Sequence, residues 1–175
     1  TDTPQRRFVI FDTGREYPQP EAVGGVPNQN LHADHDIDYV IAVPTGGKLT
    51  AQAERLAELH RQRGLSVKVI PANLLYNEFS SGTPDANALR RYLKMLYDRA
   101  ATPDKAPRYL LLMGKSPWDN RFVTEEWKNA AVDDYLLAYE YDASTQSIGT
   151  VSSFVTDDFY ALLDDGEGKY IYSEK

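Results

Sequence analysis

The chain has 175 residues, 42% of them apolar and 11% aromatic, which suits one domain of ordinary size with a packed core and argues against disorder throughout. A formal net charge of −7 disfavours a polyanion partner, because neutralising phosphates needs clustered Lys and Arg, so nucleic acid is not expected. There is no cysteine, which removes disulfides, thiolate metal sites and thiol nucleophiles, and no apolar run approaches the ~20 residues of a membrane-spanning helix.

In chain order, Phe8-Val9-Ile10-Phe11 reads as a short strand closed by Asp12-Thr13-Gly14. From Tyr17 to Asp36, Pro, Gly and Asn dominate, which is the chemistry of a long arm. Ile37 to Val43 is a strand with a second half apolar on both faces, as in a central parallel strand, and Pro44-Thr45-Gly46-Gly47 stops it. Lys48 to Arg63 repeats Leu49, Ala53, Leu56, Ala57 and His60 at helical spacing and ends at Gly64. Leu65 to Ile70 alternates, which places it near an edge.

Tyr76 to Asp85 then links this strand to a second helix. Thr83 supplies an N-cap hydroxyl, Pro84 fits the first helical position and Asp85 suits the helix dipole. Leu89, Tyr92, Leu93, Leu96 and Ala100 form one apolar stripe, with Arg90, Arg91 and Lys94 on the other side. Arg108 to Met113 is a continuously apolar strand expected in the middle of the sheet. Beyond it, Asp133 to Tyr141 is strand-like, 142–149 is a turn, Val151 to Leu163 is a strand or short helix, and Asp164 to Gly168 turns before Tyr170-Ile171-Tyr172.

Strand, helix, strand, helix, strand with short links predicts an α/β fold with a mostly parallel sheet, ordered 65–70, 39–43, 108–113, which is the order 2-1-3, plus further strands in the C-terminal part. In such a sheet the crevice outside the carboxyl ends of the first and third strands takes ligands or partners. Here Thr45-Gly46-Gly47 and Gly114-Lys115-Ser116 would line it.

Several clusters bear on chemistry. His32, Asp34, His35, Asp36 and Asp38 collect imidazole and carboxylate ligands without a recognised metal spacing, so a polar lead-in to the strand is the simpler reading. Asp157, Asp158, Asp164, Asp165 and Glu167 could hold calcium in turns, although the EF-hand pattern is absent and a solvated acidic turn is the default. Gly46-Gly47-Lys48 lacks the spacing of a phosphate loop, and no Gly-x-Ser-x-Gly elbow is present. The loop Gly114 to Arg121 leaves the carboxyl end of a strand and offers Lys115, Trp118, Asp119, Asn120 and Arg121 as contact residues, to which Asp157 and Asp158 are added. Alternatively Asp119 and Asn120 shape the turn while Trp118 covers the core.

A series of segments recurs in one order: Pro27 to His32, Asp38 to Ile41, Gln52 to Ala57 with His60-Arg61, Tyr76 to Asp85, Pro107 to Leu112, Trp118 to Arg121 and Thr156 to Tyr160. On these segments the chain resembles the amino-terminal half of the gingipain-like cysteine peptidase domain, most closely its type IX secretion sortase branch, from about Phe8 to Gly168.

The resemblance implies a three-layer caspase-like subdomain at 37–175, preceded by a strand and extended arm at 1–36. The catalytic His and Cys would lie in a second, carboxy-terminal subdomain, so no catalytic residue is assigned in this chain and it is expected to be inactive alone. For the intact protein it implies a cell-surface enzyme of the outer membrane that removes carboxy-terminal sorting domains from secreted cargo and joins the cargo to lipopolysaccharide. No cofactor is implied. One departure stands out: relatives tend to read Gly-Asp-Gly where this chain has Gly114-Lys115-Ser116, which reverses the local charge. The rival reading is a non-enzymatic interaction or ligand-binding module of a cell-surface protein. If a second subdomain exists, the face that meets it should be an apolar patch larger than a monomer usually exposes.

Overall fold

The structure, a computed structural model, describes residues 8–22, 24–141 and 154–167. Its centre is β1 (Tyr39–Val43), in which Val40, Ile41, Ala42 and Val43 are all fully buried. A strand can bury consecutive residues only if both faces of its sheet are covered. Both are, by helices packed on each face, while within the sheet β1 pairs in parallel with β2 (Val67–Pro71) along one edge and β3 (Tyr109–Leu112) along the other, giving the order β2-β1-β3.

Helix α1 (Thr50–Arg61) links β1 to β2 and covers one face, where Ala53 and Ala57 meet Ile41, Val43 and Val67. The small alanines let the helix lie close to the strands. Gly64 ends it in a left-handed conformation (φ +89°), with the Leu65 N–H bonded back to the His60 carbonyl. Two helices, α2 (Ala72–Phe79) and α3 (Asn87–Arg99), link β2 to β3 and cover the other face over Val40, Ala42 and Ile70. The result is three layers, with successive crossovers on opposite faces.

The structure departs from the sequence-based expectations in several places. Tyr76 to Phe79 is not a connector but the second half of α2, a helix without a capping side chain that forms because Ala72 and Leu75 are buried against the sheet. It ends at Ser81 and Gly82, both at positive φ, with the Gly82 N–H bonded to the Tyr76 carbonyl at 2.8 Å. Helix α3 accordingly starts at Asn87 rather than beside Pro84. Asp85, not Thr83, satisfies its first turn, accepting the Asn87 N–H at 2.9 Å, while the Thr83 carbonyl is taken by the Ser80 hydroxyl. The stripe Leu89, Tyr92, Leu93 and Leu96 is buried as the spacing predicts.

β3 is an edge strand and not a middle one: no described residue pairs with its outer side, and Tyr109 is 52% exposed. In place of a strand from Asp133, a 3₁₀ turn (Val132–Asp134) leads to β4 (Tyr139–Tyr141), which pairs antiparallel with β5 (Phe154–Thr156). A second 3₁₀ turn (Asp158–Tyr160) follows and brings Phe159 and Tyr160 into the α2/α3 side of the core, where Leu163 joins them. Phe8 to Phe11 forms no strand and its side chains lie in solvent. The expected turn at 142–149 and Tyr170 to Tyr172 lie outside the described residues.

Candidate functional site

At the carboxyl ends of β1 and β3 the expected crevice is present but largely filled by the chain itself. The Gly46 N–H donates to the Asp133 carbonyl at 2.5 Å, and a Cβ on Gly46 would lie 2.7 Å from that oxygen, so only glycine permits this approach. Gly114 is similarly crowded by Pro44 and Leu136, and the Leu136 N–H bonds to the Lys115 carbonyl. An ion pair joins Lys48 to Asp134. What remains is an open hollow of about 440 Å³, bordered by Pro44, Leu49, Gly114 and the side chains of Lys48, Lys115 and Asp134.

Asp119 shapes the loop after β3. It is 8% exposed and accepts the N–H groups of Thr124 and Val123 on one oxygen and of Arg121 on the other. The Thr124 N–H is the largest influence on its carboxyl; together with the other donors it outweighs the opposing effect of burial and holds the group below the usual carboxylate range. Asn120 acts as a strand substitute, donating to the Ala138 carbonyl at 2.7 Å and accepting the Ala138 N–H at 3.3 Å. Trp118, in contrast, is 52% exposed and covers no core; Pro117 fills that place. Arg121 is exposed, and the Lys115 ammonium lies 5.2 Å from the centre of the Tyr135 ring. Phe122, Trp127 and Tyr135 pack edge to face or tilted at 5.3–6.0 Å and make a small aromatic knot under this loop. Only their shared aromatic character hinted at this knot, because the three are spaced without a period.

A second concave region runs along the open side of β3. It is a groove of about 560 Å³ walled by Leu110 and Leu112 of the strand, Leu93 and Tyr97 of α3, and Tyr160 and Leu163. Asp157 stands at its rim. Asp158 is exposed, and its N–H bonds the Thr156 hydroxyl. The sequence-derived residues therefore fall into two places, the strand ends for Lys115 to Arg121 and the open edge for Asp157.

The acidic turn offered for calcium is occupied by protein partners. Asp164 accepts the Tyr97 hydroxyl at 2.7 Å, Glu167 accepts the Asp164 N–H, and Asp165 pairs with Lys94. Arg90 reaches from α3 to the carbonyls of Phe159, Leu162 and Glu167. The His32 to Asp38 cluster is likewise dispersed: Asp34 binds Lys68 and the Tyr92 hydroxyl, and Asp38 binds the Ser66 N–H and Arg108. Among the described residues no group of three or more His, Cys, Asp or Glu side chains is placed to hold a metal.

The same cluster reveals a clamp that sequence reasoning missed. Glu78 of α2 accepts the Leu31 N–H (2.7 Å), the His32 N–H (3.1 Å) and the Gln29 amide (2.8 Å), and His32 Nδ1 lies 2.6 Å from it. The His32 ring stacks on Phe79 at 4.5 Å. Burial pushes the Glu78 carboxyl up, but these donors outweigh it and bring it down to about 2. The arm is thus fixed to the α2/α3 layer from Gln29 onward.

The comparisons with known proteins agree with this architecture. Residues 32–173, well over half the chain, match Peptidase family C25. Among solved structures the chain is similar to dimeric latent PorU from Porphyromonas gingivalis, with 40% sequence identity and a TM-score of 0.71 over 83% of this chain. It spans only 14% of that protein's length. No curated protein gave a match. The parallel β2-β1-β3 sheet, the antiparallel β4-β5 pair and the family match have one reading: the chain belongs to peptidase family C25.

Proposed function

We propose that this chain is the non-catalytic amino-terminal part of a gingipain-like peptidase domain, a scaffold against which a separate carboxy-terminal catalytic subdomain packs. The observation that carries this reading is the open edge of β3. Its outer backbone groups meet no strand among the described residues, and an apolar groove runs beside it. Exposed edges are normally blunted by charge, proline or a covering element, yet the strand here reads Tyr-Leu-Leu-Leu. Such an edge fits a covering partner better than solvent. The absence of cysteine from all 175 residues supports the same division, since a thiol nucleophile must then come from elsewhere.

In this arrangement Lys115, Trp118 and Arg121 at the strand ends, and Asp157 and Asp158 near the edge, contact the second subdomain or the substrate, while Asp119 and Asn120 hold the loop in place. The intact protein is proposed to act as a type IX secretion sortase at the cell surface, cutting carboxy-terminal sorting domains from secreted cargo and attaching the cargo to lipopolysaccharide. Its likeness to PorU supports that assignment.

The test is to incubate the intact protein with a purified cargo bearing its sorting domain and follow the cargo mass. Loss of the sorting domain, abolished when the nucleophilic Cys of the intact protein is changed to Ala, is the expected result. Unchanged processing by the Ala variant, or no processing by the intact enzyme, contradicts the sortase reading.

A further inference from the structure

The two edges of the sheet treat their outward backbone groups differently. On β2 the Val67 carbonyl accepts the Arg61 guanidinium at 2.9 Å, and Pro71 at the end of the strand has no N–H to offer. Nothing comparable closes β3 among the described residues. The N–H groups of Tyr109 and Met113 bond to carbonyls of Asp38 and Ala42 beside it, so by alternation those of Leu110 and Leu112 face outward.

The side chains of Leu110 and Leu112 wall the 560 Å³ groove. Only two residues lining that groove are charged, Arg108 and Asp157, and they stand at opposite ends of the strand. Arg108 immediately precedes β3; it donates to Asp38 at 2.7 Å, yet its side chain is 47% exposed. Asp157 is exposed and belongs to the carboxyl end. It opens the turn that holds Tyr160, whose hydroxyl bonds the Leu137 carbonyl, and Leu137 shares a small cavity with Leu112.

We propose that the β3 edge takes an extended peptide segment with an acidic side chain beside Arg108, a basic one beside Asp157 and an apolar one between them. A strand rises about 3.3 Å per residue, so positions 108 to 112 span roughly 13 Å, and side chains on the groove face recur at every second position. The segment therefore carries its two charges four residues apart, with its middle side chain against Leu110 and Leu112. Backbone hydrogen bonds to those leucines hold it, and the charges set its register and direction. Such a partner rests on the scaffold reading, in which β3 is covered in the intact protein.

Amide exchange of Leu110 and Leu112 in the 175-residue chain tests this with three peptides at millimolar concentration: acetyl-Asp-Val-Leu-Val-Arg-amide, its reversed sequence acetyl-Arg-Val-Leu-Val-Asp-amide, and the diacidic acetyl-Asp-Val-Leu-Val-Asp-amide. One of the two mixed-charge peptides should slow both amides at least about tenfold, while the diacidic peptide leaves them near the free rate. Asp157→Lys, at an exposed position, should reverse that order in favour of the diacidic peptide. Equal protection by all three peptides overturns the proposal but leaves the scaffold reading intact, because the edge is then covered without regard to charge. Protection by none of them also overturns it, and so does an order of preference that Asp157→Lys leaves unchanged.

Discussion

Glu78 shows how one side chain can fasten a segment nearly fifty residues away. It gathers the Leu31 and His32 N–H groups, the Gln29 amide and the His32 ring onto a carboxylate that is 13% exposed. Charged acceptors of this kind contribute more than neutral ones, and a buried donor left without its acceptor is costly. Glu78→Gln keeps the shape but loses the charge, and should lower stability by about 2 kcal/mol in a denaturant titration. The pH dependence has a definite sign. The folded carboxyl sits at about 2, below its usual 4.5, so the unfolded chain takes up the proton first. The stabilisation is complete above pH 4.5 and is lost as the pH falls from 4.5 toward 2, and wild type should lose more stability over that window than Glu78→Gln. Equal losses in the two proteins would remove the clamp from the account. None of this was visible in the sequence, where Glu78 looked like part of a connector. Its partners are local neither in sequence nor in any helical period.

Elements were legible where burial repeats with a period, and illegible where a single tertiary contact decides. The order 2-1-3 followed from the both-sided apolar run at Val40 to Val43 and the alternation at Leu65 to Ile70, and the fold has it. Helix α2 was missed because Asn73 and Asn77 are poor helix formers and it is held by tertiary contacts, the burial of Ala72 and Leu75 with Leu74, Tyr76 and Phe79 packed beside them. β3 looked central because it is apolar throughout, but no described residue pairs with its outer side, so it is an edge strand. The distinction has a mutational consequence. Ala161 is exposed at the groove beside β3 and its side chain supports nothing in this chain. Ala161→Glu should leave the melting temperature of the 175-residue chain unchanged, within about 0.5 kcal/mol, and destabilise the intact protein, where a charge would be buried against the packed edge. Equal melting of the intact variant and its parent would show that the groove stays open to water.

For the molecule as a whole, the sequence indicated a scaffold without a nucleophile, and its resemblance to gingipain-like peptidases matched the family found by comparison. The candidate site was less legible. Of the two readings of Trp118, contact residue or cover for the core, its exposure leaves only the first; Asp119 shapes its turn from a buried position, and the crevice between β1 and β3 is largely occupied by Asp133 and Asp134. Those outcomes depend on how the excursion after β3 folds back, which no local pattern encodes. What emerges is a three-layer body with an open hollow at its strand ends and an apolar groove along β3.

The most direct measurement is reconstitution. The 175-residue chain and the proposed carboxy-terminal, Cys-bearing subdomain would be purified separately, and cleavage of a fluorogenic peptide measured for each alone and for the mixture. The expected result is no cleavage by this chain, little by its counterpart, and activity on mixing that falls with Ala161→Glu. Cleavage by this chain alone, or full activity of the counterpart without it, would contradict the claim that this half serves as the scaffold of a cysteine peptidase.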